Sequence, residues 1–288
     1  MSVKRITHSH QLVVLAAIAV FVALLHPATI AAQTKVSPEV APSAQVVDTE
    51  EQRIQDLVIA NHILADQGVL DGFGHVSVRS LKNPSHYYIA RRQAPALVTR
   101  EDIIEFDENS QPVDPKGPTS YSERYIHGEI YRVRPDVQAV IHSHSPAVIP
   151  FGVTNVPLRP IMHMAGFLPQ ITPIFEIRKV AGDDNGILVT NAKLGAALAA
   201  ALGNSSVVLM RGHGIAVVAA SVRDVVFRAV YTQEDAQIEA EALRLGQPIF
   251  LNAMEAARVD AANRATMLKA WDLWDAQARA HALPALKP

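Results

Sequence analysis

Short apolar runs rich in β-branched residues alternate along this chain with longer segments of helical periodicity. This alternation restricts the possible folds more than any other feature, because such runs suit strands that are buried on both faces of a sheet. The predicted strands cover residues 75–78, 87–90, 137–142, 207–210 and 215–219. The last two flank Gly212-His213-Gly214 and resemble a hairpin.

The segments between these strands carry apolar residues at helical spacing and have recognisable ends. Gly68 and Gly203 follow two of them, and Ser120 or Ser122 can cap a third. The predicted helices cover residues 51–68, 123–134, 191–202, 221–245 and 253–282. Together, the two patterns predict one α/β domain with helices layered on a central sheet.

The N-terminal segment has the order of a secretory signal peptide. Lys4 and Arg5 precede an apolar run over residues 12–25, and small residues including Ala32 follow it. The run is shorter than the roughly 20 residues that a membrane-spanning helix needs, although an uncleaved anchor is the alternative. We therefore expect residues 1–32 to be a signal peptide, 33–49 a flexible leader and 50–288 the folded domain. The protein is then periplasmic or secreted, or cytoplasmic if the signal does not function.

Charge and cysteine content narrow the possible chemistry. The 26 basic and 28 acidic residues nearly cancel, so the chain lacks the positive field that attracts nucleic acid, and a small molecule is the expected partner. The sequence contains no cysteine, which excludes thiol catalysis, disulfides and iron–sulfur clusters. Any metal ion must rest on histidine, aspartate or glutamate. We expect no membrane association after the signal has been removed.

The segment Ile141-His142-Ser143-His144-Ser145 has the spacing of a metal site. Side chains alternate across a strand, so His142 and His144 point to the same side and can reach one ion. A short apolar run places the pair at the end of a predicted buried strand. The alternatives are a surface role or a packing role for both histidines.

His213 is the natural third ligand, because glycines on both sides let the backbone approach a crowded centre. It could equally be a turn residue of the hairpin. Glu123 alone predicts only a helix-terminal charge that the helix dipole stabilises. His127 lies four residues later, on the same predicted helix face, and is interpreted as a core or supporting residue. Three protein ligands with one open position are typical of a catalytic zinc site.

In their order, these elements resemble the class II aldolase/adducin family. The similar motifs lie within residues 50–250. They are Gly74-His75-Val76-Ser77-Val78-Arg79, then Glu123 ahead of His142-Ser143-His144, then Arg211-Gly212-His213-Gly214.

The resemblance implies a three-layer αβα sandwich with a central, mainly antiparallel sheet, here with a C-terminal helical extension. It also implies a divalent cation on His142, His144 and His213, with Glu123 as a resting ligand that becomes the general base when substrate displaces it. Zinc is the first expectation, and manganese, cobalt and iron are alternatives. The implied assembly is a homotetramer with active sites at subunit interfaces.

Departures from the family pattern bear on the substrate. The sugar-phosphate aldolases of this family hold phosphate with an asparagine after the first glycine, a Thr-Gly element and a Ser-Ser pair. Here those positions read His75, 91–96 and Tyr121-Ser122, which favours a non-phosphorylated acid. The expected substrate contacts are Gly74, His75, Arg91, Arg92 and Ser122. The adjacent arginines suit a carboxylate, but they could also be solvated charges, and His75 could be a structural residue.

His163 stands where the aldolases of this family carry a proton-donating tyrosine, and histidine can serve as a proton donor near neutral pH. The first expectation is a metal-dependent carbon–carbon lyase of class II aldolase type that acts on a non-phosphorylated hydroxy acid. Alternatives are a decarboxylase of a dihydroxyaromatic, catechol-type acid, a metal-dependent epimerase or isomerase, and a non-catalytic adducin-like module. Members of the family that decarboxylate dihydroxyaromatic acids have a similar Arg-Arg stretch, and in that interpretation His163 protonates the ring carbon.

Overall fold

The computed structural model describes residues 48–282. The predicted signal peptide and almost all of the predicted leader lie outside these residues. Among the helices of the described part, none combines the length and the apolar character needed to cross a membrane.

A seven-stranded sheet forms the centre of the protein, in the order β3-β2-β1-β4-β7-β6-β5. All neighbouring strands run antiparallel except β5 and β6, which are parallel. The prediction of a mainly antiparallel sheet is therefore confirmed. The strands are β1 (His75–Arg79), β2 (Tyr87–Ala90), β3 (Ile103–Phe106), β4 (Ala139–Ser143), β5 (Ile174–Phe175), β6 (Val207–Met210) and β7 (Gly214–Ala219).

Helices cover both faces of this sheet, as expected for an αβα sandwich. The helices are α1 (Glu50–Asp66), α2 (Tyr125–Val133), α3 (Ile149–Val153), α4 (Arg178–Ala181), α5 (Ala192–Leu202), α6 (Val222–Leu245), α7 (Ala253–Arg264) and α8 (Leu268–His281). Helices α1, α6 and α8 share one hydrophobic core with the sheet, and α2 and α5 share another. Because both faces are covered, β6 and β7 are continuous apolar runs, and β4 begins with one.

The alternation along β4 decides which layer contains the histidines. Ala139 and Ile141 pack in the core beneath α1 and α6, whereas Val140 packs in the core beneath α2 and α5. Since side chains alternate, His142 lies on the same face as Val140. The central strand thus directs His142 toward α2, which follows Glu123 in the chain.

Helix termini were predicted well where a polar cap was present. Asn191 caps α5, and Ser221 caps α6 through its hydrogen bond from the Asp224 N–H. The predicted start of α2 was wrong, because this helix begins at Tyr125 and neither Ser120 nor Ser122 caps it, whereas its predicted end is correct within one residue. Glu123 therefore precedes the helix instead of lying in its first turn.

Two further predictions need correction. The single helix predicted over residues 253–282 is two helices, α7 and α8, separated by a break at residues 265–267. The sequence reasoning also missed β3 and β5, the two edge strands. Strand β3 lies at an edge of the sheet and is only partly buried, so a glutamate interrupts its apolar residues. Strand β5, at the other edge, is only two residues long, so neither strand shows a continuous apolar run.

Candidate metal centre

Glu123, His142, His144 and His213 converge on one point in the structure. Their potential ligand atoms all lie within 4.8 Å of one another. The His144 Nε2 atom lies 3.0 Å from the Nε2 atoms of both His142 and His213. The Glu123 Oε2 atom lies 3.4 Å from His213 Nε2 and 3.7 Å from His142 Nε2. Residues from three separate segments of the chain are thereby brought together.

Backbone carbonyls determine the tautomers of two of these histidines. The Nδ1 atom of His142 lies 3.0 Å from the Ile215 carbonyl oxygen, and the Nδ1 atom of His213 lies 2.8 Å from that of Ile187. A carbonyl oxygen only accepts, so each Nδ1 carries the proton and each Nε2 presents a lone pair. Such an outer hydrogen bond is typical of metal-ligating histidine.

The convergence of these lone pairs fits a cation. Bare nitrogen atoms 3.0 Å apart repel each other unless a proton or a metal ion lies between them. Two imidazole nitrogens at about 2.0 Å from one tetrahedral zinc ion lie roughly 3.3 Å apart, close to the observed spacing. The buried carboxylate of Glu123 completes a set of nitrogen and oxygen ligands that divalent cations accept.

Glu123 is held in an ionised state. Burial alone would raise the pKa of its carboxyl group, but the His213 side chain, the neighbouring His142 and the Val189 N–H together lower it to about 2. The Val189 N–H donates to Oε1 at 2.8 Å, which leaves Oε2 directed at the histidines. The residues just before α2 thus place a negative charge where a cation would lie.

The glycine after His213 is required by close packing of β7 on β4. A Cβ atom on Gly214 would lie 2.0 Å from the Ser143 carbonyl oxygen and 3.0 Å from the His144 Cα atom. No larger residue fits at this position without moving the strands apart. The close approach keeps His213 beside the two histidines at the end of β4.

A cavity of about 750 Å³ opens next to this cluster. His142 is fully buried behind it, whereas His144 and Glu123 reach its wall. Phe73, which is 65% exposed, lies on its rim between two glycines. The sequence-predicted residues that line the cavity are Gly74, His75, Arg92, Ser122, Glu123 and His144.

The two adjacent arginines separate in the structure. Arg91 forms an ion pair with Asp102, and it is not among the residues lining the cavity. Arg92 lines the cavity, and its guanidinium group forms neither an ion pair nor a hydrogen bond with any residue of the described chain. Of the two, only Arg92 is therefore placed to receive an anionic group in the cavity.

His163 lies apart from the cluster within a single chain. It is exposed, on a short 3₁₀ turn over His163–Ala165, and it does not line the cavity. Its carbonyl oxygen accepts a hydrogen bond from the Asn263 side chain on α7. One subunit by itself does not bring His163 to the metal centre.

Several residues of the site carry no signal in the sequence. Ile187 contributes a carbonyl oxygen and Val189 an N–H group, so their side chains gave no indication of this role. Ile187 has a φ of +60°, a backbone conformation that a β-branched residue rarely adopts. Strain of this kind is commonly found at functional sites. The sequence signals only the Asn185-Gly186 turn just before it.

Known proteins resemble this chain in sequence and in structure. The Class II Aldolase and Adducin N-terminal domain family matches residues 55–240. The decarboxylase tropJ of Talaromyces stipitatus is 35% identical over 244 residues, covering 77% of this chain and 92% of that protein. The 3,4-dihydroxyphthalate decarboxylase of Arthrobacter keyseri is 32% identical over 188 residues, covering 60% and 72%. An aldolase II superfamily protein from Pseudomonas syringae has a TM-score of 0.67 at 22% identity, covering 83% and 96%, which shows a common fold.

Proposed function

Because this chain belongs to the class II aldolase and adducin family, we propose that it is a metal-dependent decarboxylase of a dihydroxyaromatic acid. The observation that carries this proposal is the 35% identity to a decarboxylase along 92% of that relative's length. A second decarboxylase among the relatives is named for 3,4-dihydroxyphthalate. These relatives favour decarboxylation, the alternative, over the retro-aldol cleavage that the sequence motifs suggested first.

The four clustered side chains are the proposed ligands. Glu123, His142, His144 and His213 would hold one divalent cation, for which zinc is our first choice. Such an ion supplies Lewis-acid polarisation of the oxygen atoms of an adjacent diol. Because His144 and Glu123 line the cavity, a ligand in the cavity could reach the bound ion from their side.

Arg92 is the proposed carboxylate contact. A planar guanidinium group can donate two parallel hydrogen bonds to one carboxylate, and Arg92 has no competing partner among the described residues. Gly74 and Ser122 also line this cavity, and its volume of about 750 Å³ leaves room for an aromatic ring. We expect Arg91 to contribute only by supporting this segment through Asp102.

Proton transfer completes the proposed reaction. The bond between the ring carbon and the carboxyl carbon breaks, carbon dioxide leaves, and the ring carbon keeps the electron pair and takes up a proton. Glu123 would accept the proton of a substrate hydroxyl group through Oε2, and His163 would protonate the ring carbon. Since His163 is exposed and away from its own cavity, we propose that a neighbouring subunit of a homotetramer supplies it.

The test is an assay of the purified, zinc-loaded protein with 3,4-dihydroxyphthalate. Release of carbon dioxide, abolished in Glu123→Gln at unchanged folding, is the expected result. Release of an aldehyde from non-phosphorylated hydroxy-keto acids instead would favour the retro-aldol reaction. Turnover of neither substrate class with zinc, manganese, cobalt or iron would contradict a lyase function.

The metal ligands and the assembly are tested separately. Metal content per chain should fall to near zero in His142→Ala. Inactive His163→Ala and Glu123→Gln chains should regain part of the activity when refolded together, because mixed tetramers contain some intact shared sites. Full activity of His163→Ala alone would exclude His163 as the proton donor.

We also propose that the protein is exported, because Lys4, Arg5 and the apolar run over residues 12–25 have the order of a signal peptide. N-terminal sequencing of the protein from its native cells should begin near residue 33. An intact N-terminus on cytosolic protein would contradict export.

A further inference from the structure

A chain of four buried polar side chains runs from the cavity into the core beneath α2. His75 Nδ1 lies 2.6 Å from His127 Nε2, and His127 Nδ1 lies 2.6 Å from the Ser77 hydroxyl oxygen. The Ser77 hydroxyl in turn lies 2.8 Å from the Tyr131 hydroxyl. All four residues are at most 3% exposed, and of the four only His75 lines the cavity.

The Tyr131 end of this series of hydrogen bonds determines which group donates in each bond. Within residues 48–282, the Tyr131 hydroxyl has Ser77 as its only acceptor, because its other neighbour, the Val140 N–H, can only donate to it. If Ser77 donated to Tyr131, the buried tyrosine proton would lack an acceptor, which costs about 1–3 kcal/mol. Tyr131 therefore donates to Ser77. The only acceptor then left for the Ser77 proton is His127 Nδ1.

The same reasoning fixes the donor in the remaining bond, between His127 and His75 at the cavity. Because Nδ1 of His127 accepts, its proton lies on Nε2 and is donated to His75 Nδ1. Nδ1 of His75 is then an acceptor, so the proton of the neutral ring lies on Nε2. This nitrogen has no partner among the described residues, and the ring lines the cavity. Since Nδ1 accepts a hydrogen bond in both rings, each ring carries one proton and is neutral.

His75 is thus the opposite tautomer of its neighbours. The rings of His75 and His142 lie 5.1 Å apart and their residues are paired across β1 and β4. His142 and His213 hold their protons on Nδ1, against carbonyl oxygens, and present bare Nε2 atoms. His75 presents an N–H group instead. This difference explains why a fourth histidine can lie beside the cluster without being a metal ligand.

We propose that His75 is a catalytic hydrogen-bond donor to an anionic oxygen of the substrate, and that Ser77 and His127 are positioning residues that keep the proton on its Nε2. The anionic oxygen belongs to the carboxylate or to the ionised hydroxyl group. The contact with substrate rests on the proposed function. The tautomer pattern is independent of it. A neutral donor preorganised in this way stabilises charge that develops during the reaction.

NMR of the zinc-loaded protein with isotope-labelled histidines tests the pattern directly, because couplings between ring protons and nitrogens distinguish the tautomers. We expect the proton on Nε2 in His75 and on Nδ1 in His142 and His213. Ser77→Ala removes the donor to His127, so His75 should populate both tautomers. Ser77→Thr keeps a hydroxyl group and should retain the wild-type pattern.

Two controls separate this effect from a loss of packing. Tyr131→Phe should keep the wild-type tautomer of His75, because Ser77 still has no acceptor other than His127. Tyr87→Phe removes an equally buried hydroxyl group that is not part of this series of hydrogen bonds and that donates to the Arg124 carbonyl. This change should also leave the tautomer of His75 unchanged. A proton on Nδ1 of His75 in the wild type, or an unchanged tautomer in Ser77→Ala, would overturn the proposal.

Calorimetric binding of 3,4-dihydroxyphthalate tests the contact with substrate. His75→Ala should weaken binding about tenfold or lower kcat about a hundredfold, with unchanged zinc content. Loss of zinc from His75→Ala would make His75 a ligand and contradict its assignment as a donor. If the wild type shows the expected tautomers but neither binds nor converts the acid, the proposed function fails and the substrate contact of His75 falls with it.

Discussion

Two buried carboxyl groups on α6 make the stability of this protein depend on pH. Asp235 Oδ1 accepts the N–H groups of Ile161 and Met162 at 3.0 and 3.1 Å, while Oδ2 has no partner among the described residues. Burial raises the pKa of Asp235 to about 7, although the two N–H donors act in the opposite direction. Glu239, one turn later, accepts the Arg159 N–H, and burial raises its pKa to about 7 as well.

The sign and size of the effect follow from the pKa of Asp235. An ordinary aspartate has a pKa of 3.8, so the folded state binds this proton more tightly than the unfolded state. The resulting stabilisation is fully present below about pH 4 and is lost as the pH rises through about 7. A shift of about three units corresponds to about 4 kcal/mol in total. Between pH 5 and pH 8 the loss is about 3 kcal/mol.

Urea unfolding of wild type and Asp235→Asn at these two pH values measures this contribution. The asparagine keeps a carbonyl oxygen for both N–H donors but cannot ionise, so the stability of Asp235→Asn relative to wild type should increase by about 3 kcal/mol from pH 5 to pH 8. The difference between the two proteins cancels the titration of groups that do not interact with Asp235, while Glu239, whose pKa Asp235 raises, adds a smaller change. Glu241→Gln, an exposed change on the same helix, should show almost no such trend. Equal pH dependence of wild type and Asp235→Asn would refute this reasoning.

Three further predictions concern the metal centre and the cavity. Arg92→Ala should raise KM for 3,4-dihydroxyphthalate about tenfold or more, because a bidentate carboxylate contact is lost, and Arg91→Ala should change KM less. Gly214→Ala should destabilise the fold by more than about 3 kcal/mol in urea unfolding and lower zinc retention, since its methyl group would lie 2.0 Å from the Ser143 oxygen. The matched change Gly186→Ala meets no atom within 4 Å and should be tolerated. Chelation of the metal should lower Tm, and an unchanged Tm would show that no ion was bound.

The central strands and main helices were predictable because their signals are local. Strands β2 and β6 match their predicted bounds, and the spacing of His142 and His144 showed that both side chains emerge on one side. Edge strand β3 was missed because the pattern that predicts a buried strand requires cover on both faces. The start of α2 was misplaced because its first turn has no capping side chain.

The sequence by itself determined which residue types could hold a cation. It contains no cysteine, so the ligands must be histidine or carboxylate side chains, and His142, His144 and His213 lie beside short apolar segments. It also determined the order of motifs by which the family is identified. Only the tertiary structure decided which neighbours each side chain meets. Arg91 pairs with Asp102 while Arg92 lines the cavity, and two adjacent residues of the same type give no local signal of that difference.

The tautomers were likewise decided by the fold. The carbonyl oxygens of Ile187 and Ile215 belong to the backbone that every residue shares. The Ser77 hydroxyl group lies 50 residues from His127 in the sequence. A histidine in a sequence is therefore only a candidate ligand. Whether it offers a metal a lone pair or a substrate an N–H group depends on the acceptor that packing places at its other nitrogen.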